Sequence, residues 1–230
     1  MNLINKAIDK IMDSTWEKKN YKFTYPMIDI IPSSNGSGIY VAHFIGNTDT
    51  LIGKLIKKLS GDYSHSILFW HEPLGIFRYL NNNEILRLIK KYKKYYTGDN
   101  QLKYIKNTNS LVLGSVDSIG MNYFNFSHYT FRKMIIHKLP VDEITYKKIV
   151  NYMLSEKVMN KNYNYTGLAF WWLYKMFDDE RAWYCSKQVK DVALKFEIDL
   201  CPGESNPSST QLAEYALKNF KIIYDSRGRL

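Results

Sequence analysis

A chain of 230 residues with 45% apolar side chains is long enough to bury a core and too apolar to stay disordered. Its 32 Lys and Arg against 22 Asp and Glu leave a net charge of +10, and two cysteines are too few for a disulfide framework. No apolar run reaches the roughly 18 residues of a membrane helix. The amino terminus has no secretion pattern, because Asp9 and Asp13 interrupt it. The expected setting is the cytoplasm, a reducing compartment, or a particle that carries the protein, with no transmembrane segment.

Residues 2–17 repeat Leu3, Ile4, Ala7, Ile8, Ile11 and Met12 at helical spacing, with Lys6, Asp9, Lys10 and Asp13 between them. This predicts an amphipathic helical arm over residues 1–20, whose stripe suits packing on the parent domain better than docking elsewhere. Residues 21–230 read as a single domain. Met27 to Ile31, between Pro26 and Pro32, is a short extended segment, and Ser33 to Gly38 is a loop. Ile39 to Ile45 predicts a buried strand. Thr50 to Leu59 predicts a helix with Leu51, Ile52, Leu55, Ile56 and Leu59 on one side. Gly61-Asp62 then turns the chain into a second buried strand, Tyr63 to Trp70, with His65 near its start.

Residues 73–108 look like an insertion, with a lysine-rich helix from about Asn83 to Tyr96. Between Arg78 and Lys106 the net charge is +6, more than half the total. Lys90, Lys91, Lys93 and Lys94 interleave with Tyr92, Tyr95 and Tyr96, a pattern that a solvated face produces and that also suits weak contact with an anionic polymer or nucleic acid. Leu111 to Leu113, Met121 to Phe126 and Phe131 to Leu139 predict further strands, the first two separated by Gly114 and Gly120. Asp142 is an N-cap for a helix running to about Val158. Leu168 to Phe177 predicts an aromatic helix, and Cys185 opens another with Val189, Val192, Ala193 and Phe196 on its buried side. Cys201, in Leu200-Cys201-Pro202-Gly203, belongs to a helix-ending turn. Pro207-Ser208-Ser209 caps a last helix through Asn219, and Lys221 to Tyr224 is a terminal strand. Strands in the middle and helices at both ends predict an α+β domain: one mainly antiparallel sheet with helices packed against it.

Two remote groups carry chemistry. A cysteine in the first turn of a helix sits where backbone N–H groups and the macrodipole favour an anion, so Cys185 has the position of a thiolate nucleophile. A histidine at the edge of a strand, His65, is of the type that takes and returns the proton. No Cys-x-x-Cys, His-Glu-x-x-His, glycine-rich phosphate loop or nucleotide fingerprint occurs, so no metal or other cofactor is expected.

Tyr63-Ser64-His65 before a hydrophobic strand, Tyr163-x-Tyr165-x-Gly167-Leu168, Trp183-Tyr184-Cys185-Ser186 opening a helix, and Asn206-Pro207-Ser208 before the last helix together resemble the circularly permuted NlpC-type papain-like cysteine hydrolases, including bacteriophage-encoded members. The resemblance spans roughly residues 39–220, excluding the lysine-rich insertion. It implies a papain-like fold in which histidine precedes cysteine, with Cys185 as nucleophile and His65 as general base and then acid. It also implies Tyr63, Tyr184 and Trp183 at the groove or oxyanion site, and a peptide, murein or acyl-lipid substrate. Relatives carry an acidic residue two positions after the histidine or on the next strand. Ile67 and Leu113 stand there instead, leaving Asp117, Glu72 and His71 as candidates for the member that orients the imidazole. That departure keeps open a second expectation: a catalytically inactive papain-like fold acting as a structural or binding component, such as one of a viral particle.

Overall fold

The computed structural model describes residues 38–46, 57–58, 61–72, 110–117, 120–125, 133–159, 161–163 and 182–228. The amino-terminal arm, the lysine-rich insertion, the aromatic helix and most of the Thr50 to Leu59 helix lie outside these residues.

The architecture is α+β. Strands β1 (Ile39–Ile45), β2 (Tyr63–Glu72), β3 (Ser110–Asp117), β4 (Gly120–Asn125), β5 (Met134–Lys138) and β8 (Ile222–Asp225) form one six-stranded sheet in the order β4-β3-β2-β1-β5-β8. Every pairing in it is antiparallel. A two-stranded parallel ribbon joins β6 (Asn162–Tyr163) to β7 (Ala182–Trp183). Helices α1 (Glu143–Met153), α2 (Glu156–Met159), α3 (Cys185–Lys195) and α4 (Ser209–Asn219) complete the described elements.

The central strands are apolar on both faces because both faces are covered. Tyr40, Ala42 and Phe44 of β1 register with Phe69, Ile67 and His65 of β2, and residues directly opposite share a face. On the other face Ile39, Val41 and His43 oppose Trp70, Leu68 and Ser66. All of these except His65 are buried. A bulge falls where the register slips between Phe44 and Ile45, with Ser64 as the extra residue. It turns Tyr63 onto the His43 face, where the two rings meet edge to face at 6.4 Å. His65 stays on the opposite face and stacks on Phe44 with ring centroids 5.8 Å apart.

Helix α4 covers the His43 face: Ala213 packs with Tyr63 and Ile135, flanked by Leu217, Ile45 and Ile222. Helix α3 runs against β2 and β3 and places Val189, Val192 and Ala193 in the main core.

Helix ends follow local chemistry. The Asp142 carboxylate accepts the Thr145 N–H at 2.7 Å and starts α1. The helix expected to continue to Val158 breaks at Leu154 and Ser155, where the Ser155 hydroxyl donates to the Tyr152 carbonyl at 2.7 Å and competes with the helical ladder. Helix α3 ends in a Schellman motif: Ile198 N–H donates to Ala193 O and Glu197 N–H to Leu194 O, with Glu197 at φ 64°. Strand β3 continues through Gly114, which was expected to separate strands. Gly114 is paired on both sides, with Leu68 and with Tyr123, so the two ladders hold it extended.

Candidate active site

Cys185 is the first residue of α3. Tyr184 precedes it as N-cap in extended geometry, with no side-chain cap, and the Tyr184 carbonyl accepts the Gln188 N–H at 2.9 Å. The N–H groups of Cys185, Ser186 and Lys187 therefore have no carbonyl within their own helix, which makes this the positive end of the helix. Cys185 is 6% exposed as a residue, and its thiol is not in a disulfide.

The start of α4 is brought beside it. Ser208 caps α4 through a reciprocal box: its hydroxyl accepts the Gln211 N–H at 3.1 Å, and the Gln211 side chain accepts the Ser208 N–H at 2.8 Å. The next residue, Ser209, places its hydroxyl oxygen 3.9 Å from Cys185 Sγ. Two helix amino termini thus meet at one sulfur.

The strand end bearing the Tyr63-Ser64-His65 motif is tied to α4. Gly61 turns with φ +89°, and Thr210 then clasps Tyr63, its hydroxyl accepting the Tyr63 N–H at 3.0 Å and facing the Tyr63 carbonyl at 3.3 Å. Tyr63 is buried, and its phenol oxygen accepts from Arg227 Nη1 at 3.3 Å. Arg227 is itself held by the Asp225 carboxylate, through Nε at 3.0 Å and Nη2 at 2.6 Å. Burial raises the Tyr63 phenol above its ordinary range, and the Arg227 charge pulls the other way.

On the carboxyl side of the cysteine, Lys190 is buried although it is a lysine. Its ammonium group pairs with Asp199 and donates to the Cys201 carbonyl at 2.9 Å, while Cys201 N–H donates to Asp199 Oδ1 at 3.0 Å. This knot fastens the connection between α3 and α4 onto α3. Burial raises the Cys201 thiol above its ordinary range.

The expected site residues fall as follows. Cys185 and Tyr184 are together at the start of α3, with Tyr184 5% exposed. His65 lies on β2, the strand along which α3 packs, with its ring on Phe44. His71 and Glu72 end β2, Asp117 ends β3 opposite Gly120, and Trp183 ends β7; their side chains lie outside the described residues, as do Lys90, Lys91, Lys93 and Lys94. Among the described residues no group of three or more His, Cys, Asp and Glu is placed to hold a metal ion. Nor is any described helix long and apolar enough to cross a membrane.

Sequence reading passed over Ser209 and the pair His43 and His137. Ser209 looks like an ordinary capping residue until α4 folds back to the sulfur. His43 and His137 were legible only as single polar residues inside apolar strands. Comparison of the chain with protein-family models, with curated proteins and with solved structures finds no match.

Proposed function

We propose that the protein is a thiol hydrolase of the permuted NlpC-type papain-like kind, cleaving an amide bond of a peptide or murein, or an acyl bond. Cys185 attacks the carbonyl carbon and His65 takes the thiol proton. The tetrahedral oxyanion is stabilised by first-turn N–H groups of α3, and the proton returns to the leaving group as the acyl-enzyme forms. Water attacks the acyl-enzyme with His65 again as base. The observation that carries this reading is the position of Cys185: first residue of α3, with the Ser209 hydroxyl 3.9 Å from its sulfur. The same helix runs against the strand that carries His65. The test is Cys185→Ala assayed on a panel of peptide, murein and acyl-ester substrates. Turnover is lost while the unfolding transition is kept; retained turnover on any substrate the parent cleaves ends the proposal.

A second reading, a catalytically inactive papain-like component of a viral particle, is favoured by one specific feature. The His65 ring stacks on Phe44, on the face away from Tyr63 and His43, whereas Ser209 beside the sulfur opens the helix that covers the His43 face. Under this reading no substrate in the panel is turned over by the parent protein, and Cys185→Ala changes neither folding nor assembly.

A further inference from the structure

Three rings form a column through the sheet face beneath α4. His43 of β1 and His137 of β5 stack with centroids 5.3 Å apart and planes 16° from parallel. His137 stacks in turn on Phe220, the C-cap of α4, at 4.9 Å and 21°. Both imidazoles are buried, at 0% and 1% exposure. His43 Nδ1 shares a hydrogen bond of 2.9 Å with Ser66 Oγ. His43 Nε2 and both nitrogens of His137 have no partner. Parallel rings aim their lone pairs side by side and not at a common point, so the arrangement does not chelate a metal ion. What it does is exclude charge: a proton on either ring creates a buried cation facing another imidazole, with an acceptor for one N–H of His43 and for neither N–H of His137.

Among the described residues, the groups around the column supply no compensation. From β2 the column meets Ser66 and the edge of Tyr63. From β8, Ile222 lies opposite His137. From α4 come Phe220 and, against it, Tyr215. The charged groups at this end of the sheet, Asp225 and Arg227, are spent on each other and on the Tyr63 hydroxyl.

We propose that the His43–His137–Phe220 column is an acid-sensitive clasp that holds the carboxyl end of α4 and strand β8 to the sheet and releases them when either imidazole is protonated. Helix α4 begins at Ser209, next to Cys185, where its start has its own ties to Gln211 and Tyr63. The device stands whether or not the protein is a hydrolase.

Burial holds His137 down to about 4 and, together with the His137 charge, holds His43 well below the ordinary histidine range. In the unfolded chain both rings bind protons at about pH 6.5. The unfolded state therefore binds more protons than the native state below that pH. The stability from the neutral rings is fully present above about pH 6.5 and is lost as pH falls toward about 4.

The experiment is urea unfolding at pH 7.5, 6.5, 5.5 and 5.0 on the full chain and on His137→Leu. In the parent the unfolding equilibrium constant rises by up to about tenfold per pH unit for each ring below pH 6.5, and His137→Leu removes one ring's share of that slope. Identical slopes overturn the proposal. Should His137→Leu not fold, two measurements on the parent decide. Histidine ring resonances of His43 and His137 stay at their neutral positions down to pH 5 in the folded protein; titration of either near pH 6.5 without loss of stability overturns the clasp. Amide exchange at pH 5.5 accelerates first over residues 216–225; acceleration spread evenly over the sheet overturns it as well.

Discussion

Gly61→Ala probes the joint between strand β2 and helix α4. Gly61 has φ +89°, and a Cβ there would lie 2.7 Å from Thr210 Oγ1 and 2.9 Å from its Cγ2. The backbone conformation alone costs an L residue about 1–2 kcal/mol. The collision adds to this. Thr210 is branched at Cβ and has few helical rotamers, so it evades the new methyl only by giving up its hydrogen bond to the Tyr63 N–H. A part-buried donor left without its partner costs about 1–2 kcal/mol more. The expected loss is about 2–4 kcal/mol, read as a lower urea midpoint with an unchanged slope. The Thr210→Ala background separates the two contributions. There the hydroxyl and the Cγ2 methyl are already gone and only the Cβ of residue 210, 3.1 Å away, still meets the new methyl, so Gly61→Ala costs little beyond the backbone strain of about 1–2 kcal/mol, and the cycle yields a coupling of about 1–2 kcal/mol. Equal costs in both backgrounds, or a loss below about 0.5 kcal/mol in the parent, refute the geometry of this joint, which rests on the positive φ and on the Thr210 clasp.

The remaining substitutions test the helix ends that frame the sulfur. Ser208→Ala breaks the reciprocal box at the start of α4 and lowers stability by about 1 kcal/mol in urea unfolding; no loss counts against that cap. Glu197→Gly relieves a left-handed residue at the C′ position of α3, φ 64°, and raises stability by about 0.5–1 kcal/mol; destabilisation contradicts the Schellman end.

Much of the fold was legible because its signals are local. Asp142 and Ser208 announced α1 and α4 as capping residues, and the apolar runs at Ile39 to Ile45 and Tyr63 to Trp70 were long enough to read as strands buried on both faces. The sheet's antiparallel character followed from strands clustered in the middle of the chain. The misses came from competition that sequence does not display. Ser155 interrupts a helix because its hydroxyl reaches the Tyr152 carbonyl, a choice invisible in the apolar periodicity. Gly114 stays in a strand because two neighbours pair with it, so tertiary pairing overrides an intrinsic turn preference. At the site, the helix start at Cys185 was readable and its neighbour was not: Ser209 is 24 residues away and is brought there by tertiary packing. The bulge at Ser64 was equally hidden. One extra residue decides that Tyr63 and His65 turn to opposite faces, and nothing in Tyr63-Ser64-His65 marks it.

The most direct measurement is the pH profile of iodoacetamide alkylation at Cys185 and Cys201, followed by peptide mass analysis, in the parent and in His65→Ala. Both cysteines are nearly buried residues, at 6% and 8% exposure. An activated sulfur at the head of α3 reacts well below pH 8 and far ahead of Cys201, and His65→Ala moves its onset to higher pH. Slow, matched labelling of the two cysteines, unchanged by His65→Ala, contradicts a Cys185–His65 hydrolase.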